Sequence, residues 1–312
     1  MPHGTMKISV SPFLSSFLRF VCAGVAILTP FGNGQCASVP AHAAFIENGK
    51  VRIGVDLDSG GCIFYFSEKS PERNLLNHCD KGRFIQQSYY GDPDGSFWGD
   101  KPFRWNPVQG GDCKGSPAKT LASSITADRI YVKSEPKHWA SGEDVPAATM
   151  EESIDLRGDI AHIHFKFTYK NGKDNAATDQ ELPAVFADYA LNHLVFYNGT
   201  KPWADDVLTR KIPGFPNEPA EADENWAAYV DNNDWGLGVY FPGTTRMTTY
   251  RTGSDSTAGP EGSACSYFAP IQTLAITRNW SHEYDIYLMI GKISTMRNKF
   301  YWLHRTQHDS ER

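Results

Sequence analysis

Alternation of apolar and polar residues is the dominant pattern in this chain, and it is clearest over residues 161–169. There Ala161, Ile163, Phe165, Phe167 and Tyr169 fall on one face of an extended segment, and His162, His164, Lys166 and Thr168 fall on the other. The same period of two recurs over residues 51–57, which run into Asp58-Ser59-Gly60-Gly61 and then residues 62–66, a hairpin with a glycine-rich turn. Further strands are expected over residues 83–90, 120–126, 129–133, 151–156 and 191–197. After a proline-rich connection over residues 201–224, strands resume at 226–230, 237–241, 247–251, 272–277 and 282–290. Only residues 294–303 read as helix, with Ser294 or Thr295 as its cap. A dozen or more strands, one short C-terminal helix and long loops predict an all-β fold, a large antiparallel β-sandwich.

Composition narrows the picture. The chain has 312 residues, 27 of them glycine and 19 proline, which suits many turns. Residues 44–312 are expected to form one sandwich domain; a cut between residues 172 and 180 is the two-domain alternative. The net charge of −6, with no lysine or arginine run, argues against a nucleic-acid partner. Residues 1–43 have the pattern of a secretory signal or propeptide: Lys7 and Arg19, an apolar run at 20–28, then Ala41-His42-Ala43. No later run approaches the length of a membrane span, so no stable membrane insertion is expected, and the protein is placed outside the cytoplasm, extracellular or periplasmic. Export permits disulfides. Cys62, Cys79, Cys113 and Cys265 allow three connectivities, of which Cys79–Cys113 is the expected one because it would brace the loop between them. Neither a metal nor a cofactor is expected, since no Cys/His cluster has zinc spacing and no nucleotide-binding motif is present.

Candidate chemistry concentrates between Gly82 and Asp112. Trp98 and Trp105 stand there among Arg83, Gln86, Gln87, Asn106, Gln109 and Asp112. Flat rings suit the C–H faces of a sugar, and amide or guanidinium forks suit its hydroxyls. The plainer alternative packs the rings inward as loop anchors. Asp92-Pro93-Asp94-Gly95 lacks the closing glutamate of a calcium loop and reads as a tight turn. Trp203, with Asp205 and Asp206, offers a second sugar-contacting edge. Candidate acid/base groups are His164, Glu181 and His193, because carboxyl and imidazole groups can both be tuned towards neutrality by burial. His162 and His164 share a strand face, but with Lys166 beside them and no third ligand in view that face reads as solvated. Tyr89 and Tyr90, near Arg83, read first as packing residues and second as a base for an acidic sugar.

The stretches ENGKVRIGVDLDSGG and NLLNHCDKGRFIQQSYYG resemble the opening of galactose-mutarotase-like β-sandwich proteins, with Asn74, Asn77, Gly82 and Arg83 carrying the likeness. The resemblance implies a hairpin followed by an Asn…Gly-Arg segment lining a sugar cleft, and one Glu with one or more His as catalytic pair. Residues 106–112 stand where that family has a His- and Gly-rich segment, and they contain no His. The expectation is therefore a secreted carbohydrate-active protein: a glycoside hydrolase, a polysaccharide lyase or an epimerase. A lectin-like carbohydrate-binding module without catalysis is the alternative, and a structural surface protein the third. The enzyme reading requires two of His164, Glu181 and His193 to converge near the aromatic loop. The lectin requires exposed, coplanar rings, and the structural protein requires buried ones.

Overall fold

A computed structural model describes residues 40–310. The chain opens with β1 (Ala43–Glu47), β2 (Val51–Asp56), β3 (Cys62–Glu68), β4 (Ile85–Ser88), β5 (Pro93–Trp98), β6 (Lys101–Arg104) and β7 (Pro107–Val108). It continues with β8 (Lys119–Ile125), β9 (Arg129–Glu135), β10 (Lys137–His138), β11 (Ala148–Arg157), β12 (Ile160–Tyr169), β13 (Asn175–Asp188) and β14 (His193–Phe196). The last part holds β15 (Thr209–Lys211), β16 (Glu218–Glu221), β17 (Trp226–Val230), β18 (Trp235–Tyr240), β19 (Arg246–Thr252), β20 (Cys265–Ile276), β21 (Trp280–Lys292) and α1 (Ile293–Ser310).

Two sheets result. One has ten strands, in the order β1-β2-β3-β4-β13-β20-β19-β16, with β7 and β10 attached beside β4. The other has nine, in the order β15-β14-β17-β18-β21-β12-β11-β9-β8. Every pairing near the centre is antiparallel, so each strand delivers alternate residues to the space between the sheets. Ile53, Val55, Ile85, Val185, Phe268 and Met247 come from the first sheet, and Ile154, Ile163, Phe165, Phe167, Val239 and Ile286 from the second; all are essentially inaccessible to water.

The helix covers the outer side of the nine-stranded sheet. Ile293, Met296, Phe300 and Leu303 recur every three or four residues, line one stripe of α1, and pack on Val195, Trp226, Tyr240 and Met289. Gly238 permits this approach, because a Cβ there would stand 2.7 Å from the Met296 sulfur. The helix is longer than the residues 294–303 expected from sequence.

Some expectations are revised. The tight turn expected at Asp92–Gly95 is instead the start of strand β5, and the β5–β6 hairpin turns at Gly99-Asp100, with Trp98 opposite Lys101. No disulfide is formed among the described residues. Cys62 is buried beside Phe64 and Phe84 and donates to Gln86 Oε1 at 3.4 Å, and the Cys113 thiol points to the Ala140 carbonyl. The expected Cys79–Cys113 bridge is thus not formed. Of the signal-like segment, residues 1–39 lie outside the described residues. No helix among those described is long and apolar enough to cross a membrane.

The stripe of α1 should dominate its attachment. Phe300 is fully buried and packs 5.9 Å from the Tyr240 ring and 6.0 Å from that of Trp226. Phe300→Ala is expected to cost about 3–5 kcal/mol in urea denaturation, and an effect below about 1 kcal/mol would show that the helix is not part of the cooperative unit.

Candidate functional site

The outer face of the ten-stranded sheet is polar at its centre, and the cause is local. On β4, Ile85 and Gln87 point inward while Gln86 and Ser88 point outward. On β13 the register against β20 slips between Glu181 and Val185, at Pro183. A proline has no N–H for the ladder, so in a central strand it is found at such irregularities, which also re-aim neighbouring side chains. Here Glu181 stands between Ser88 of β4 and Ile271 of β20.

The Tyr90 hydroxyl donates to Glu181 Oε2 at 2.9 Å, and the Tyr267 hydroxyl bonds the same carboxylate. Burial pushes the Glu181 carboxyl up, and the two phenol bonds hold it back. The phenols are themselves raised, first by burial and then by the neighbouring carboxylate. An aromatic wall continues from this point. Tyr267 packs 4.6 Å from Phe186 and 4.5 Å from Tyr250, and the exposed Phe215 meets Tyr250 edge-on at 5.8 Å. Arg83 borders the wall; its Nε lies 3.2 Å from Asp80 and its Nη1 donates to the Ser263 carbonyl.

The β5–β6 hairpin bounds the other side. Arg104 reaches Thr178 of β13 at 3.2 Å, and His138 Nε2 lies 2.7 Å from Asp94. Trp98 sits edge-on to Trp139 (5.8 Å) and Phe103 (5.5 Å). Trp139 in turn covers Gly82, where a Cβ would approach its ring to 2.7 Å.

No family model matches the chain, and among curated proteins no sequence relative is found. Solved structures do match. A putative aldose 1-epimerase from Escherichia coli K12 is 10% identical, with 80% of this chain and 98% of that chain covered at a TM-score of 0.53. A galactose mutarotase-like protein from Lactobacillus casei is 11% identical, with 80% and 100% covered at a TM-score of 0.52. The fold is galactose-mutarotase-like.

Within this mutarotase-like sandwich the three expected acid/base residues do not meet. Glu181 lies on the outer face of the ten-stranded sheet. His164 lies on the outer face of the other one, 3.2 Å from Asp285 and 3.5 Å from Glu283, while His162 Nε2 meets Asp285 at 2.7 Å. These are ion pairs of a solvated face. His193 is on β14 of that same sheet, opposite Val230. Trp203 is also on that side, stacked on Tyr301 and His304 of α1.

Most of the expected sugar-binding residues are internal struts, because a loop that is buried must find partners for its backbone. Gln86 Oε1 accepts from the Gly110 N–H at 2.7 Å, and Gln109 Oε1 from that of Gln87. Gln87 Nε2 donates to the Glu151 carbonyl. Asn106 donates to the Tyr89 carbonyl and the Ser88 hydroxyl, and Asp112 accepts from the Lys114 and Ser116 N–H groups. Trp105 packs 5.1 Å from Tyr169 at the edge of the core, so it does not form a platform with Trp98. Of the expected set, Glu181 stands with Tyr90, while Arg83 is held by Asp80 and the Ser263 carbonyl at the Tyr250 end of the wall. Tyr250 and Tyr267 escaped sequence reading: residues 265–271 are all buried and carry no alternation, and the tyrosine at 250 sits in a strand that reads as ordinary.

Glu152 also escaped notice. It lies between the sheets, fully buried, with Oε2 accepting from Gln109 Nε2 at 3.0 Å. Burial pushes its carboxyl up to about 8, against that one hydrogen bond. An unfolded glutamate titrates near 4.3, so the folded state holds the proton more tightly and stability falls as pH rises from about 4 to about 8. Thermal midpoints measured from pH 5 to pH 9 should therefore decline, and Glu152→Gln should flatten the decline. An unchanged slope in the variant would assign it to other groups.

Proposed function

We propose that the protein is an exported carbohydrate-active enzyme that holds a sugar against the outer face of the ten-stranded sheet and interconverts its anomers. The observation that carries this reading is the Glu181 carboxylate bracketed by the Tyr90 and Tyr267 hydroxyls beside an aromatic wall. A ring-opening epimerisation needs one group to take the proton from the anomeric hydroxyl and another to deliver a proton to the ring oxygen. Glu181 suits the first task, since a carboxyl raised towards neutrality is a stronger base when ionised. Either phenol can serve the second: it carries a proton, and its hydrogen bond to Glu181 lets the proton that Glu181 gains replace the one the phenol gives to O5, so no phenolate is left behind. As the C1–O5 bond breaks, the hydroxyl proton passes to Glu181 and the phenol proton to O5. Rotation about C1–C2 and the reverse transfers close the other anomer.

The rival reactions are less well served. Retaining or inverting hydrolysis calls for two carboxyls flanking one bond, and the hydrogen-bonded set around Glu181 contains one. Elimination from a uronic acid calls for a tyrosine made more acidic, whereas Tyr90 and Tyr267 are made less so. The likeness to a putative aldose 1-epimerase supports the architecture on which such chemistry would sit, at 10% identity. Export rests on the basic, apolar and small-residue pattern of residues 1–43.

Anomer exchange followed by NMR for a panel of free aldoses tests the proposal. Wild type should exceed the buffer rate, Glu181→Gln should lose about 100-fold or more, and Tyr90→Phe should lose less, because Tyr267 remains. The rate should fall on acidification, with its limb above that of an ordinary glutamate, since the base must be ionised and its affinity for protons is raised. Exchange at the buffer rate for every sugar, with saturation-transfer contacts to the Tyr250 and Tyr267 rings, would instead indicate a lectin-like module.

A further inference from the structure

We infer a second carbohydrate-binding surface on the opposite side of the sandwich, along α1. Arg297, Asn298, Tyr301 and His304 recur at helical spacing and run beside the loop of residues 201–208. At one end of this line is an open groove of about 570 Å³, lined by Asp206, Asn233, Asp234, Lys292, Arg297 and Asn298. At the other end the Trp203 ring stacks on Tyr301 (5.5 Å, 29°) and His304 (5.2 Å, 25°). Tyr301 is 41% exposed and Trp302, next to it, 60%.

The backbone shows that this placement of Trp203 is built. Its φ is +62°, the left-handed region that a bulky residue other than glycine rarely adopts. Such conformations persist only where the surroundings over-determine them, and they gather at ligand sites. Here the Trp203 N–H donates to Glu224 Oε1 at 2.6 Å, and Glu224 is wholly buried. Arg297 donates to both oxygens of that carboxylate, at 2.6 and 2.9 Å, and the Trp226 indole donates to Oε2 at 2.8 Å. Arg297 also holds Asp206 and the Asp205 carbonyl, so one buried ion pair fixes the loop, the strained tryptophan and the wall of the groove together.

The chemistry of the surface points to a neutral glycan. Two carboxylates, Asp206 and Asp234, face two cations, Lys292 and Arg297, so the groove selects neither a polyanion nor a basic peptide. Only Leu208 and Ile293 are apolar in its lining, too little to seat an amphipathic helix. Planar amide, carboxylate and guanidinium groups beside stacked rings match hydroxyl pairs beside C–H faces, and the groove lies within the usual size of about 300–1,000 Å³ for small-ligand sites. The surface is remote from Glu181, and an extended chain held there would keep the protein on a polymer.

Affinity electrophoresis of the full chain in gels containing xylan, mixed-linkage β-glucan or galactomannan tests this. Wild type and Glu181→Gln should be retarded alike in at least one gel. Trp203→Ala and Tyr301→Ala should each bind about ten-fold more weakly, with Tyr301→Ala, an exposed site, guarding against loss by misfolding. Failure of the Glu181 proposal would leave this pattern intact. Absence of retardation in every gel, loss of it in Glu181→Gln alone, or a dimer in sedimentation that Tyr301→Ala dissociates without any polysaccharide would overturn it.

Discussion

The face-to-face packing of two antiparallel sheets is the constraint on which everything else in this molecule depends. Each strand can give only alternate residues to the shared core, so each sheet is left with an outer face that must be covered or made polar. The two faces solve this differently. The nine-stranded sheet is covered in part by α1, whose stripe from Ile293 to Leu303 closes over Trp226 and Tyr240, and elsewhere carries ion pairs such as His162–Asp285 and Lys166–Glu283. Among the described residues no α-helix packs on the ten-stranded sheet. Its outer face is bordered by the β5–β6 hairpin and by the segment around Phe215, and between them stand tyrosines and one carboxylate. A face finished in this way is half apolar and half hydrogen-bonding, the surface chemistry that a sugar shares.

How much of this was legible in the chain depends on whether a segment has one buried side or two. Residues 161–169 alternate because one face of β12 meets the core and the other meets water, and they read as a strand at once. The distal half of β13, from Leu182 to Asp188, is buried on both sides and shows no alternation, and Pro183 reads as a break. The same explanation covers residues 265–271 of β20. The strand that carries Glu181 and one of the two that flank it are thus weakly patterned, which is why Glu181 could be named from sequence but its tyrosine neighbour on β20 could not.

The amide-rich loop misled for a related reason. Gln86, Gln87, Asn106 and Gln109 are present in the density expected of a sugar site, yet each is spent on backbone groups of the neighbouring loops and strands: Gln86 on Gly110, Asn106 on Tyr89, Gln109 on Gly60, and Gln87 on Glu151 of β11. Composition records which groups a segment carries, and only topology tells whether their partners are internal. Trp105 is a similar case: Gly91 beside it would place a Cβ 2.8 Å from the indole, so the ring is packed where a platform would need it open.

Two carboxylic acids raised by burial remain, and their surroundings separate their roles. Glu152 is enclosed between the sheets among Phe165, Tyr284 and Gln109, where no solute can arrive, and its proton is a feature of folding. Glu181 has a comparable cause for its raised proton affinity but sits partly open, with the hydroxyls of Tyr90, just past β4, and Tyr267, on β20, converging on it. A perturbed carboxyl marks function only when something outside the protein can reach it. Accessibility, set here by which face of which sheet a strand presents, is what turns the same physical shift into stability in one glutamate and into chemistry in the other.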